Sequence, residues 1–343
     1  MLAAVYYGKD DLRVIDIPKP TCGDGDVLIK IKYCGVCGTD VHIYHGDGGA
    51  APVPVGTVIG HEFSGVVERV GKDCRRIKVG DRVSVDPNDC CGECYFCKNG
   101  KAHFCTNMKG YGTTYAGGFA EYVAVPERQV YPLPDGLSFE SGSQSETLSC
   151  CLNGIDLCKI RVGENVLILG AGPIGLMMLQ LAKASGAGTV IVSEIVEEKR
   201  ALAQKLGADI AIDPTKVDLK QEVSRLCENV DCVIEAVGNT KTVAQAIDCA
   251  GNCATVMLFG LTQPDAEISV KPYEIFKKEL CVTSSFINPY TFSRAVKTLG
   301  SGVVKMDDII TDIVPLERIT EVFTNPAYRK RGKVLIRTEV DKG

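Results

Sequence analysis

The chain lacks a basic excess. Its 343 residues carry 38 Lys and Arg against 43 Asp and Glu, a formal net charge of −5. Nucleic-acid binders present a basic face, so that class is disfavoured, and the basic clusters Arg75–Arg76 with Lys78 and Arg329 to Lys333 read as solvated surface. An apolar leader is also lacking. Lys9, Asp10, Asp11, Arg13 and Asp16 all fall within the first sixteen residues, where a secretory signal needs an apolar core. A membrane-length apolar run is missing too: the uncharged stretch VLILGAGPIGLMMLQLA, Val166–Ala182, is short for a span and is interrupted by GAGPIG. Internal repeats and low-complexity tracts are absent. The expectation is a cytoplasmic protein with neither nucleic acid nor membrane as partner. With 45% apolar residues it has material for a large core and two domains.

Cysteine is plentiful. Seventeen in a reducing compartment read as metal ligands or small buried residues rather than disulfides. Five lie in CCGECYFCKNGKAHFC, residues 90–105. The spacing Cys91-x2-Cys94-x2-Cys97-x7-Cys105 lets four thiolates converge on one tetrahedral zinc, with bonds of about 2.3 Å. Such a site is closed, so it is structural. Cys90 should point elsewhere, and His103 reads as a solvated loop residue. The lobe alone would also suit a zinc-stabilised protein that binds nucleic acid or a partner.

A second constellation leaves a position open. CGVCGTDVHIYHG supplies Cys37, GHEFSGVVERVG supplies His61 and Glu62, and SETLSCCLNG supplies Glu146. One thiolate, one imidazole and one carboxylate leave a fourth place on zinc for a reacting group, the arrangement of a catalytic ion.

The middle of the chain alternates between strand and helix. NVLILG, a strand-like run, leads into GAGPIG and then a stretch of helical length. Gly170, Gly172 and Gly175 permit the turn, the approach of a pyrophosphate and helix packing, with Pro173 and Ile174 opening the helix over the phosphates. TVIVSE ends in Glu194, placed to accept from adenosine ribose hydroxyls, which favours NAD; Lys199 and Arg200 follow a turn later. Further strands are expected in ADIAID, DCVIEAVG, NCATVMLFG and ELCVTSSF, giving six strands with intervening helices: a doubly wound parallel sheet. Ligands bind at the carboxyl ends of such strands. Val237, Gly238, Phe259, Gly260, Leu261, Ser284, Ser285 and Phe286 are therefore cofactor candidates, with Arg200 beside the ribose. The first part of the chain instead shows short strand-like runs punctuated by Gly and Pro, an antiparallel or barrel-like pattern. Tyr44, Tyr111, Thr113, Phe286 and Asn288 are candidate pocket residues.

These motifs resemble the zinc-dependent medium-chain dehydrogenases, and the match covers nearly the whole chain. The glutamate pattern is most similar to the polyol (sorbitol- and arabitol-like) and threonine dehydrogenase branch. The resemblance implies an α/β protein: a GroES-like β-rich catalytic domain formed by 1–148 and 287–343, and a Rossmann domain formed by 149–286. It implies two zinc ions, NAD, and a homodimer or homotetramer. It also implies hydride transfer between a secondary alcohol, a polyol first, and NAD; a phosphorylated sugar alcohol, threonine or a simple alcohol are the alternatives. The branch has Glu-Pro-Leu where this chain has Glu146-Thr147-Leu148, so proline's stiffening of the turn is lost.

Zinc at an open site lowers the pKa of a bound hydroxyl, as it lowers that of water to about 7. By resemblance to the family, the proton relay runs from the substrate to Thr39, two residues after Cys37, through the cofactor ribose, to His42, a helical turn further on. Asp40 is placed to orient a ligand. Charge sets an expectation for the glutamates. The Cys37 thiolate and one carboxylate neutralise the ion, so only one glutamate is expected to bind at a time: Glu62 at rest, Glu146 in reserve.

Overall fold

The computed structural model describes residues 1–46 and 53–339. The chain divides into one unit of Met1–Ser149 with Phe292–Gly343 and another of Cys150–Thr291. The divisions expected from the sequence, after residues 148 and 286, lie one and five residues earlier than these.

The first unit is β-rich. Its strands are β1 (Leu2–Gly8), β2 (Asp11–Asp16), β3 (Asp26–Gly35), β4 (Thr57–Val58), β5 (Glu62–Val70), β6 (Arg82–Val85), β7 (Asn88–Asp89), β8 (Lys109–Gly110), β9 (Tyr122–Pro126) and β10 (Val130–Pro132). The second unit contributes β11 (Asn165–Leu169), β12 (Thr189–Ser193), β13 (Ile210–Ile212), β14 (Cys232–Glu235), β15 (Thr255–Leu258) and β16 (Cys281–Ser284). The chain then returns to the first unit with β17 (Ile310–Pro315) and β18 (Lys333–Arg337).

The main sheet of the first unit runs β10-β6-β5-β3-β18-β17, with β9 also paired to β3. Period-two alternation sends Val27, Ile29 and Ile31 of β3 into the core, with Phe63, Val67 and Phe119 beside them. Lys30 and Lys32 emerge on the other face and share the Glu339 carboxylate. Strand register then sets which residues meet at the sheet's end. Gly35 at the end of β3 lies opposite Glu62 of β5 on one side and Leu335 of β18 on the other. Cys37, two residues past Gly35, and His61, one before Glu62, are thereby delivered to the same end of the sheet.

The second unit is the doubly wound sheet expected from the sequence. All pairs are parallel, in the order β13-β12-β11-β14-β15-β16. Val166–Leu169 of the central β11 are buried, which explains their unbroken apolar run. The helix Pro173–Ala184 is buried from Gly175 through Ala182, so it is apolar all round rather than striped. Asp218 and Asn239 cap the helices Leu219–Leu226 and Thr240–Cys249, each accepting from a backbone N–H at 2.9 Å. A short helix, Pro272–Lys278, was not expected; none of its residues is buried. Among the described residues, no helix is long and apolar enough to cross a membrane.

Candidate active site and metal centres

Two groups of potential metal ligands occur among the described residues: Cys91, Cys94, Cys97 and Cys105, and Cys37, His61 and Glu62. In each group the ligand atoms lie within 4.8 Å of one another. Tetrahedral thiolates on zinc stand roughly 3.8 Å apart given bonds of about 2.3 Å. The Cys91 and Cys105 sulfurs are 3.5 Å apart, and the backbone N–H groups of Cys91 and Asn107 donate to Cys105 Sγ at 3.3 and 3.4 Å. Backbone N–H groups of Cys97 and Thr106 pull the Cys94 thiol down to about 6, whereas burial and the neighbouring thiols push Cys97 up to about 12. Convergent sulfurs with amides aimed at them fit zinc. Cys90 and His103 stand outside the group.

The second group is assembled around Asp40. Cys37 caps the helix Gly38–Tyr44, and Asp40, its third residue, accepts from the Cys37 N–H at 2.8 Å. The other carboxylate oxygen is 3.3 Å from His61 Nδ1, and both atoms are buried without a formed hydrogen bond. Burial pulls the His61 imidazolium down, but Asp40 and Cys37 outweigh it and hold the ring well above its ordinary value. A metal on the other ring nitrogen would replace that proton and leave Nδ1–H facing Asp40, the usual carboxylate–histidine support. Thiolate, imidazole and carboxylate make a borderline donor set, and the residues fit zinc. Thr39 Oγ1 is 3.7 Å from Cys37 Sγ. His42 lies in the last turn of the same helix, half-buried. Glu146 is buried in the first turn of the helix Ser145–Cys158 and lies outside the three-ligand group.

Glu62 has an unexpected partner. The buried Lys333 ammonium donates to its Oε1 at 2.7 Å and stands 2.5 Å from Oε2. Burial raises the Glu62 carboxyl, but Lys333, His61 and the Thr147 hydroxyl hold it below its ordinary value.

The glycine turn divides its labour as the motif requires. Gly170 has φ +99°, closed to most side chains. Gly172 caps the helix and faces open space, where a phosphate would lie. A Cβ on Gly175 would overlap the Gly170 carbonyl, so helix and strand pack through it. Pro173 and Ile174 form the first turn. Glu194 directly follows β12 and accepts from Ala171 N–H at 2.8 Å and Val196 N–H at 2.9 Å. Arg200 donates to the Glu194 carbonyl at 2.8 Å and lies 3.4 Å from Asp213. Past β14 and β15, Gly238 and Gly260 interlock so closely that a Cβ on either would overlap the other turn's backbone. Val237, Leu261 and Phe286 are exposed, while Phe259 packs against Gly154. Ser284 ends the edge strand, and Ser285 Oγ accepts from Asn153 at 2.8 Å.

Residues 23–135 match the alcohol dehydrogenase GroES-like domain, and residues 173–301 match the zinc-binding dehydrogenase domain. The D-arabinitol dehydrogenase 1 of Uromyces fabae is 33% identical over 98% of this chain and 97% of its own. The chain belongs to the zinc-dependent medium-chain dehydrogenase family. The L-threonine 3-dehydrogenase of Pyrococcus furiosus is 37% identical over 96% of this chain and 95% of its own. A Sinorhizobium meliloti 1021 protein described as a zinc-binding dehydrogenase, solved with NADP, is 37% identical with a TM-score of 0.94 over 98% of both chains. The protein is thus an oxidoreductase of the alcohol dehydrogenase type, using zinc and a nicotinamide cofactor.

Two pocket candidates, Tyr44 and Tyr111, lie in the apolar cluster of the first unit. Tyr44 packs on Phe323 with ring centroids 5.2 Å apart, and Tyr111 is buried beside Tyr115. Thr113 is tied to the Gly110 carbonyl, and Asn288 is buried. Sequence reasoning missed the burial of Lys333: it put the basic cluster Arg329 to Lys333 on the solvated surface, whereas Lys333 is 5% exposed. It also missed Glu235, a fully buried carboxylate that accepts from the Val237 and Gly238 N–H groups at 2.9 Å each and from Thr242 Oγ1 at 2.7 Å. Glu235 thereby pins the turn after β14.

Proposed function

We propose that this dehydrogenase oxidises a secondary alcohol, a polyol first, with NAD as hydride acceptor. The observation carrying the reading is the Cys37, His61 and Glu62 set with Asp40 braced behind it, in a chain that also carries the glycine turn. When bound, zinc would supply the Lewis acid that lowers the pKa of the substrate hydroxyl, and the nicotinamide would supply the hydride acceptor. Cys37, His61 and Glu62 would hold the metal, with Glu146 in reserve; Cys91, Cys94, Cys97 and Cys105 would hold the structural ion. Thr39 would accept and pass on the hydroxyl proton, and His42, on the same helix, would receive it. A panel of polyols, sugar-alcohol phosphates, threonine and simple alcohols, followed by reduced-nicotinamide absorbance, tests the substrate class. Polyols should give the highest kcat/KM. Threonine, favoured by the Pyrococcus likeness, is the second reading, and a threonine maximum would establish it in place of the first.

For the cofactor, the Glu194 carboxylate at the glycine turn would face the ribose hydroxyls and repel a 2′-phosphate. Arg200, the nearby cation, is already engaged by Asp213. NAD should therefore give a higher kcat/KM than NADP, although the Sinorhizobium relative was solved with NADP. Glu194→Ala should raise KM for NAD about tenfold and leave kcat nearly unchanged, as loss of a charge-assisted bond to the bound ground state does. Equal or better turnover with NADP in the parent protein would refute the preference.

The same reading takes the protein as a cytoplasmic homo-oligomer. Seventeen cysteines suit a reducing compartment. Among the described residues β16 pairs only with β15, and Val282, Tyr273 and Phe276 around it are 42%, 69% and 77% exposed. An open, apolar sheet edge favours pairing with a second copy. Val282→Lys should shift the species seen by light scattering toward the monomer; a parent protein that is already monomeric would refute the assembly.

A further inference from the structure

Lys333 is a buried cation that nothing in the catalytic reading uses. It is 5% exposed, opens β18, and meets Glu62 across 271 residues of sequence. A buried ammonium is costly and persists only where anions surround it. Three do so here: Glu62 by direct contact, and Cys37 and Glu146 through the field they exert. The strand register brings them together. β18 and β5 flank β3, and Gly35 stands between Leu335 and Glu62. A Cβ on Gly35 would overlap the Glu62 carboxylate and come within 3.1 Å of Lys333 Cε, so the missing side chain is the gap in which the ion pair forms. Thr147 turns a buried hydroxyl toward the same carboxylate.

We infer that Lys333 is the charge-balancing residue of the Cys37 metal site, offsetting one of the three negative charges there and restraining Glu62 from gripping the ion. The inference rests on the metal-site reading above. It revises the charge argument made from sequence, which counted only anions. With Lys333 included, a dication facing Cys37, Glu62 and Glu146 is neutral rather than anionic, and both glutamates can serve the site without destroying its Lewis acidity. It follows that removing the lysine charge should tighten metal binding. A lysine serving only as scaffold would give the reverse, since its loss would loosen the site.

The test is zinc loss from the intact holoenzyme into excess EDTA, read as zinc per chain against time. The phase belonging to the Cys37 site is the one missing from Cys37→Ser. In Lys333→Met that phase should slow at least tenfold, while Lys333→Arg follows the parent protein. Lys333→Gln removes the charge but keeps a hydrogen bond to Glu62, so it covers the case in which the methionine variant does not fold; it should slow in the same way. Adding Glu62→Gln to Lys333→Met should abolish the slowing and make zinc loss at least as fast as in the parent protein, because the gain is routed through Glu62. Parent-like or faster loss in the neutral variants would overturn the inference. A parent protein with no phase sensitive to Cys37→Ser would instead overturn the metal-site reading beneath it.

Discussion

Glu62→Gln should cost about 3–5 kcal/mol of stability and empty the Cys37 site of zinc. Removing one partner of a buried ion pair leaves the other charge stranded, and that penalty exceeds the net worth of the pair. Lys333 is the stranded group, with side-chain exposure of 6% against 0% for Glu62. Its unneutralised ammonium would then face the incoming dication. Thermal unfolding and zinc per chain read the two effects separately. Glu146→Gln is the contrast. Glu146 lies outside the three-ligand group, so zinc should stay while kcat falls about 10- to 100-fold, the range for groups that tune a metal without being its principal ligands. If Glu62→Gln kept both its zinc and its stability, Glu62 would be neither ligand nor ion-pair partner of consequence.

Cys94→Ser should remove the other zinc and destabilise the lobe from Cys91 to Cys105. Few apolar contacts hold that segment: its helix Tyr95–Lys98 buries no residue, and Tyr95 is 72% exposed. The metal must therefore supply most of its folding free energy, as structural zinc does. A loss of several kcal/mol corresponds to a fall in Tm on the order of 10 °C. Activity per folded chain should survive better than stability, because a closed four-thiolate site takes no part in the reaction. A Cys94→Ser protein of parental Tm but no activity would reverse that division of roles.

How much of this is legible in the sequence depends on the range of the interactions. The six parallel strands read directly, since each is a short apolar run with a turn behind it, and Gly170, Gly172 and Gly175 fix the place of the first crossover. The cysteine lobe reads from spacing alone, because its ligands lie within one loop. Cys37 and His61 read only as candidates, since their meeting depends on the β3–β5 register. Lys333 reads wrongly, as part of a solvated basic cluster. Its partner is 271 residues away, and two strand pairings with a glycine gap between them must be known before the contact can be seen. Glu235 is hidden for a different reason: a glutamate at a strand end resembles a solvated one until burial and its three donors are known. The helix Pro272–Lys278 escapes because it buries no face and so leaves no apolar period.

The most direct test of the whole account is the zinc content of the purified dehydrogenase beside its Cys37→Ser and Cys94→Ser variants, measured by elemental analysis. The account predicts two zinc ions per chain in the parent protein and one in each variant, with the Cys37→Ser protein folded but unable to reduce the nicotinamide cofactor with any alcohol. A parent protein holding a single zinc that survives Cys37→Ser, with alcohol oxidation intact, would contradict it.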